Sequence, residues 1–314
     1  MGAYLARRLI VFVPTLLVVS FLVFLMIHLV PGDPTALMLG QEATPGQHAI
    51  LRRELGLDRS FPQQAVEWYG HALHGNLGQS FFLQQPVTDA VVNRLPVTGS
   101  LTLFSLLIST ILGVAAGVFA STHHGRVGDW GLMLLAIVGL SVPIFWLALN
   151  MIFLFSVKLG WFPTSGYVPL SEDAGQYLRH LLLPSTVLGL AYTALIARMT
   201  RSSMLEVLRQ DYVRTARSKG LRERMIISRH AFRNALIPII TVLGLAAGEL
   251  LAGSVITETI FTLPGIGRLI VDAIKRRDYP LVQGGILAIT LSYLFINLLV
   301  DLVYAWVDPR IHYS

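Results

Sequence analysis

The side chains that could do chemistry in this chain are few, and the densest run of charge sits in one stretch. Between Arg201 and Ile237 there are nine Lys or Arg (Arg201, Arg209, Arg214, Arg217, Lys219, Arg222, Arg224, Arg229 and Arg233) against three acids. The familiar catalytic spacings are missing. There is no G-x-x-x-x-G-K-[ST] loop and no Gly-Lys pair, so the chain has no phosphate cradle of that kind. Neither H-E-x-x-H nor a G-x-S-x-G elbow occurs. With no cysteine, disulfides, thiolate nucleophiles and thiolate metal sites are excluded. His123-His124 stands beside Arg126 in a short polar turn, where two solvated side chains are the simple reading. Glu249 lies deep in apolar sequence, and an intramembrane carboxylate is costly unless it faces a cavity or a partner. Lining a translocation path and structural pairing both meet that requirement. His28 and Asp301 lie nearer the ends of apolar runs, where snorkelling or local pairing accounts for them. These residues point to transport or binding rather than catalysis, with no metal-ligating set.

The elements that must position them are membrane-class. The chain of 314 residues is 54% hydrophobic and only 13% charged, far from a soluble average, with mean hydropathy +0.64. Its net charge of +6 reads first as an orientation signal rather than as affinity for nucleic acid. Arg7 and Arg8 precede an apolar run from Leu9 to Val30, longer than the core of about 7–15 residues in a signal peptide. It predicts an uncleaved first membrane helix, residues 1–30. Residues 31–97 form a polar excursion with short helices, one over Gln47–Leu55 stopped by Gly56. Trp68, Tyr69, Phe81 and Phe82 suit a surface lying against the membrane interface or the helix bundle. Five further spans are predicted within 98–314, near Ser100–Ser121, Trp130–Val157, Leu181–Met199, Pro238–Ile256 and Val282–Val303. Pro143 interrupts the second of these, which neighbouring helices must compensate.

Six spans place both termini on one side. With the N-terminus inside, the inner segments hold 14 basic residues and the much longer outer segments 10, so the positive-inside rule favours that orientation. The basic stretch 201–237 is then a cytoplasmic loop. Within it Leu221, Met225, Phe232 and Leu236 fall within about 60° of one another on a regular helix. Arg222, Arg229 and Arg233 flank this stripe, Ile226 and Ile227 lie off it, and Gly220 breaks the chain just before it. Such a helix suits either an anionic lipid surface or a groove on another protein. On the fifth span Gly244, Gly248 and Ala252 form a small-residue stripe that allows close helix packing.

The order of short motifs resembles the ABC-importer permeases of the dipeptide/oligopeptide/nickel-chelate group. Arg214-Thr215-Ala216-Arg217-Ser218-Lys219-Gly220, then Arg229-His230 and Arg233-Asn234-Ala235-Leu236-Ile237-Pro238, look like that group's cytoplasmic signature. Leu29-Val30-Pro31-Gly32-Asp33-Pro34, Leu55-Gly56-Leu57-Asp58, Asn76-Leu77-Gly78-Gln79-Ser80 and Met199-Thr200-Arg201-Ser202-Ser203-Met204 match as well. So do Leu263-Pro264-Gly265-Ile266-Gly267-Arg268, Arg277-Asp278-Tyr279-Pro280 and Val307-Asp308-Pro309-Arg310. Against the general permease pattern, Arg214-Thr215-Ala216 replaces Glu-Ala-Ala, and a longer interval of 14 residues separates Gly220 from Ala235.

The resemblance implies an all-α, six-helix type I importer transmembrane fold in the cytoplasmic membrane. It implies a loop that docks on a separate ATPase through Arg214, Thr215, Ala216, Gly220, Leu221, Met225, His230, Phe232, Asn234 and Pro238. Expected partners are a second homologous permease, two ATPase subunits that hold ATP and Mg, and an extracytoplasmic binding protein. No cofactor is expected in this chain. Di- or oligopeptide is the expected cargo, with a nickel chelate or glutathione as the alternative. A stand-alone channel or secondary transporter is the rival of another class, and an intramembrane hydrolase is a third.

Overall fold

The computed structural model describes residues 2–29, Thr35, Leu39, 43–54 and 56–307. The helices are α1 Gly2–Leu29, α2 Pro45–Glu54, α3 Phe61–Leu73, α4 Val87–Val92, α5 Leu95–Thr122 and α6 Val127–Ser141. They continue with α7 Ile144–Lys158, α8 Ala174–Leu208, α9 Asp211–Ser218, α10 Glu223–Ile260, α11 Ile266–Arg276 and α12 Tyr279–Val307. Among the described residues the only extended pairing is one isolated bridge, Gln79 with Pro86. Val30-Pro31-Gly32-Asp33-Pro34, Leu55 and Asp308-Pro309-Arg310, which carry parts of the family-like motifs, lie outside the described residues. The predicted stop after α2 is present: Gly56 takes φ +64 and its N–H donates to the Arg53 carbonyl at 3.0 Å.

Four stretches are each long and apolar enough to cross a bilayer: Val87–Thr122, Ala174–Leu208, Glu223–Ile260 and Tyr279–Val303. The described apolar part of α1 is Phe12–Met26, within a helix of 28 residues that rises about 42 Å. The span expected straight through Trp130–Val157 is instead two helices, α6 and α7, bent by 103°. Pro143 has no N–H for the ladder and pushes the residue before it out of the helical region. Val142 accordingly sits at ψ 122.

Two ties fix the ends of the bent pair to α8. Arg201, near the end of α8, grips Asp129 in the first turn of α6. Arg179, near the start of α8, donates its Nε–H to the Trp161 carbonyl at 3.0 Å. Twenty-two residues of helix separate the two arginines, a rise of about 33 Å against a hydrocarbon core of about 30 Å. The two ends of the bent pair are therefore tied near opposite ends of α8. Counted as one span, the bent pair makes five stretches long and apolar enough to cross, and the shorter apolar part of α1 is the remaining candidate for the six expected.

Packing divides the chain into two units, Met1–Val97 with Pro264–Leu294, and Thr98–Leu263 with Phe295–Ser314. The first groups 264–294 with the opening residues. Its core gathers Val87, Ala90 and Val91 against Ile266, Leu269, Ala273, Leu281 and Val282. Close approach is enforced by glycine: a Cβ on Gly284 would lie 2.3 Å from Val87 Cγ1, and one on Gly285 2.5 Å from Ile270 Cγ1. Asp278, buried, accepts from the Ser80 hydroxyl at 2.6 Å and the Phe82 N–H at 3.1 Å. It also accepts from the Leu281 N–H at 3.3 Å. Trp68 and Phe61 pack on Phe24 of α1. His28 meets Gln64 at 2.9 Å, a local pairing.

The second unit is built on α8. Gly113 and Gly117 of α5 face it so closely that a Cβ on Gly117 would stand 2.6 Å from the Ala197 carbonyl oxygen. This pair was not singled out in the sequence, although G-x-x-x-G is the pattern that lets membrane helices touch backbone to backbone. Of the predicted stripe on α10, Gly244 fits tightly under Val300, while Ala252 is exposed.

Candidate coupling segment and translocation face

The basic stretch folds as a short helix, a glycine turn and the start of α10. Helix α9 holds one apolar edge, Val213 and Ala216, both buried against Leu208, Leu221 and Ile226. Its end is a Schellman motif: Leu221 N–H bonds to the Ala216 carbonyl at 3.3 Å and Gly220 N–H to the Arg217 carbonyl at 2.9 Å. Gly220 has φ +73, the left-handed conformation this cap requires and glycine reaches without strain. Leu221, the residue after it, supplies the apolar contact that accompanies the motif.

Beyond the turn, α10 opens at Glu223 and passes through a π stretch over Ile226–Ala231. The buried positions are Ile226, Ala231, Ala235 and Ile239. Their first interval is five residues, and the later ones are four. The π turn inserts one residue, so Ile226 and Ala231 both face inward. This corrects the regular-helix reading, which placed Leu221, Met225, Phe232 and Leu236 on one stripe and Ile226 off it. In the fold Ile226 is fully buried and Met225 is 43% exposed. Phe232 packs half-buried against Met204, Ala231, Ala235 and Ile239, and Leu236 is half-buried.

The polar members line the outside. Arg209, Arg214, Arg217, Lys219, Arg222, Arg224, Arg229 and Arg233 are all exposed, as is Thr215. Arg217 bridges the turn to Glu223, with Nη2–Oε1 2.6 Å and Nε–Oε2 3.2 Å. That hydrogen bond holds the Glu223 carboxyl below its ordinary value. Asn234 donates to the Tyr212 hydroxyl at 2.8 Å and the His230 carbonyl at 3.0 Å, joining α10 to α9. Pro238 lies one turn beyond Asn234, inside α10.

A buried ion pair anchors the root of this segment. Asp129, 2% exposed, accepts from Arg201 Nε at 2.5 Å and Nη2 at 2.7 Å. It also accepts from the Gly125 N–H at 3.0 Å and lies 3.1 Å from His124 Nδ1. His124 is thus a member of a polar cluster, not merely solvated. His123 is half-buried and stacks on Phe119, ring centroids 4.3 Å apart. Sequence reasoning missed Asp129; its one signal was an acid in the first helical turn after a basic loop.

From Ile237 onward, the residues of α10 exposed in the isolated chain are Ile237, Thr241, Leu245, Glu249, Ala252, Ile256 and Thr259, one continuous face. Glu249 stands on this face rather than in the core. The Tyr192 hydroxyl lies 3.7 Å from where a Cβ of Gly253 would be, one turn along. A second carboxylate, unremarked in the sequence, is Glu258: fully buried, it accepts from the Thr98 hydroxyl at 2.7 Å. Asp301 is buried as well.

The family described as "Binding-protein-dependent transport system inner membrane component" matches residues 109–313, and its N-terminal companion family matches residues 1–102. The chain belongs to this family. It is an ABC-importer permease subunit, the membrane component of binding-protein-dependent transport. Among similar proteins, the di/tripeptide transport system permease protein DppB of Pseudomonas aeruginosa is 45% identical, with all of both chains covered. The glutathione transport system permease protein GsiC of Escherichia coli O6:H1 is 43% identical over 99% of each chain. A chain of the inward-facing MetNI methionine ABC transporter superposes with TM-score 0.57 at 18% identity, covering 69% of this chain and 95% of that one. This last likeness supports the type I importer fold.

Proposed function

We propose that the chain forms one half of the pore of an ATP-driven importer of di- or oligopeptides, with both termini in the cytoplasm. It pairs with a second, homologous but distinct permease and two ATPase subunits. ATP and Mg bind to those ATPases, and this chain contributes no cofactor site. The observation that carries the reading is the build of 211–239: a helix, a glycine cap and a π-turned helix pinned by buried apolar residues, with cations and Met225 turned outward. Such a projection is stiff enough to transmit displacement, and its cations offer contacts to an acidic groove. Met225 is the apolar knob, and truncating such anchors costs about 2 kcal/mol or more at an interface. The bidentate Arg201–Asp129 pair at its root supports transmission to α8 and α6.

Glu249 is assigned to the translocation face. A carboxylate on an exposed face of a spanning helix is too costly against lipid, so a cavity or the partner permease must cover it. The relatives' names support peptide cargo, and the GsiC likeness keeps glutathione as the second candidate, ahead of a nickel chelate.

Uptake and ATPase activity of the reconstituted complex test the reading. Gly220→Val forces a β-branched residue to φ +73, a strain of roughly 1–2 kcal/mol, with no clash because the space beside Gly220 is open. The expected result is normal insertion with uptake lowered at least tenfold, and a further loss for Met225→Ala. Glu249→Gln is expected to lower uptake while assembly stays intact. Normal uptake in the Gly220 and Met225 variants, with stimulated ATPase intact, would show that this segment does not couple. Single cysteines at Ser218 and Gln63 should label from opposite sides of the membrane.

A further inference from the structure

We propose that the cavity between the α4–α5 turn and α11 receives a carboxylate side chain from the binding protein that delivers cargo. This rests on the outward placement of 31–97 and 264–281 under the reading above. The bonds from Ser80 and Phe82 to Asp278 join these two segments, so they share one side of the membrane whichever side that is.

The cavity measures about 190 Å³ and is lined by Phe82, Leu83, Arg94, Arg268, Leu269 and Asp272, among others. That is the volume of roughly six waters, room for the head of one side chain and too little for a folded-in peptide. Its polar lining holds two guanidiniums against one carboxylate. Arg94 donates Nη1–H to the Ala90 carbonyl at 3.1 Å, and Arg268 Nε lies 3.7 Å from Asp272 Oδ2. A guanidinium presents five N–H donors in a flat fork, and a carboxylate is the partner that accepts two of them in parallel. Gly265, which also lines the cavity, is the N-cap of the 11-residue α11. The partial positive charge of that helix end adds to the two cations.

The surroundings favour a docking protein over a lipid. Lys275, Arg276 and Arg277 are exposed at the end of α11, and Arg276 lies over the Phe82 ring at 3.4 Å from its centroid. These cations close a short amphipathic helix and stand two to four residues before the spanning helix α12. Phe82 itself is 47% exposed, an apolar anchor beside a charged receptor. The family is defined by dependence on a binding protein; an acidic side chain on that partner is the ligand this lining selects.

The test uses the complete transporter in vesicles of zwitterionic lipid, with its binding protein purified in the cargo-loaded form. ATPase stimulation is followed against binding-protein concentration. The double variant Arg94→Gln, Arg268→Gln is expected to raise the half-stimulating concentration at least tenfold, leaving maximal stimulation and complex yield unchanged. Arg94→Lys should recover part of the loss. Lys275→Gln with Arg276→Gln, both on the surface, should give a smaller shift that vanishes in high salt. One Asp or Glu of the binding protein, changed to Lys, should restore stimulation to an Arg94→Glu transporter. An unshifted half-stimulating concentration in both Gln variants overturns the proposal. So does an effect that follows the fraction of anionic lipid rather than the binding protein, or the concentration of free peptide carboxylate. A cysteine at Lys275 separates the failures: labelling from the cytoplasm sinks the orientation, whereas outside labelling with unshifted stimulation sinks only the carboxylate receptor.

Discussion

Two extramembrane pieces of this subunit are held in place by opposite means. The segment proposed for coupling is pinned by Val213, Ala216 and Ile226, with its charges outside and its ion pairs exposed. The turn around Ser80 is held by a buried carboxylate, Asp278, that collects a hydroxyl and two backbone N–H groups. Apolar pinning is graded, since losing one methyl group costs in proportion to the space left behind. A polar hub is closer to all-or-none, because removing the acceptor strands every donor it served.

Three substitutions break or sharpen that contrast. Asp278→Ala has the largest expected effect. It leaves three donors without their acceptor, at about 1–3 kcal/mol each, and should cost at least about 3 kcal/mol in thermal inactivation of the solubilised complex. If it costs no more than the next variant, the contrast fails. Ile226→Ala should cost about 2–4 kcal/mol, but locally: protease cleavage within 211–231 should accelerate while the spanning helices stay protected. Loss of the whole fold would show that the segment is not an independent pin.

The smallest effect belongs to Arg217 and Glu223. Their side chains are 44% and 55% exposed, and such pairs contribute under about 1 kcal/mol. The Glu223 carboxyl is held low by its bond to Arg217. Its contribution is therefore full at neutral pH, above the unfolded-state value, and is lost as pH falls through the folded-state value. A double-mutant cycle on protease protection at neutral pH should show a coupling that vanishes in high salt. A coupling above about 2 kcal/mol would place this bridge with the buried hub.

The same contrast separates what was legible in the sequence from what was not. Apolar length predicted the spans, Gly56 and Gly220 marked helix ends, and the basic cluster located the projecting segment. These features are local, and each depends on a neighbourhood of a few residues. The stripe through Met225 and Phe232 was misplaced because a π turn adds a residue to one turn without any compositional mark. Pro143 was recognised as an interruption, but the size of the bend depends on what packs around it. Asp129, Asp278 and Glu258 were missed for one reason: their partners Arg201, Ser80 and Thr98 are 72, 198 and 160 residues away. Gly113 and Gly117 were legible in principle, and only their partner α8 gives them meaning.

The grip of Arg201 on Asp129 has a mechanical consequence. Two parallel bonds in one plane resist twisting as well as stretching, and Asp129 has almost no water at hand to replace them. The end of α8 and the beginning of α6 are thereby geared together with little backlash. A stroke that turns α8 must carry α6 with it, and the 103° corner at Pro143 becomes the crank at which that motion changes direction.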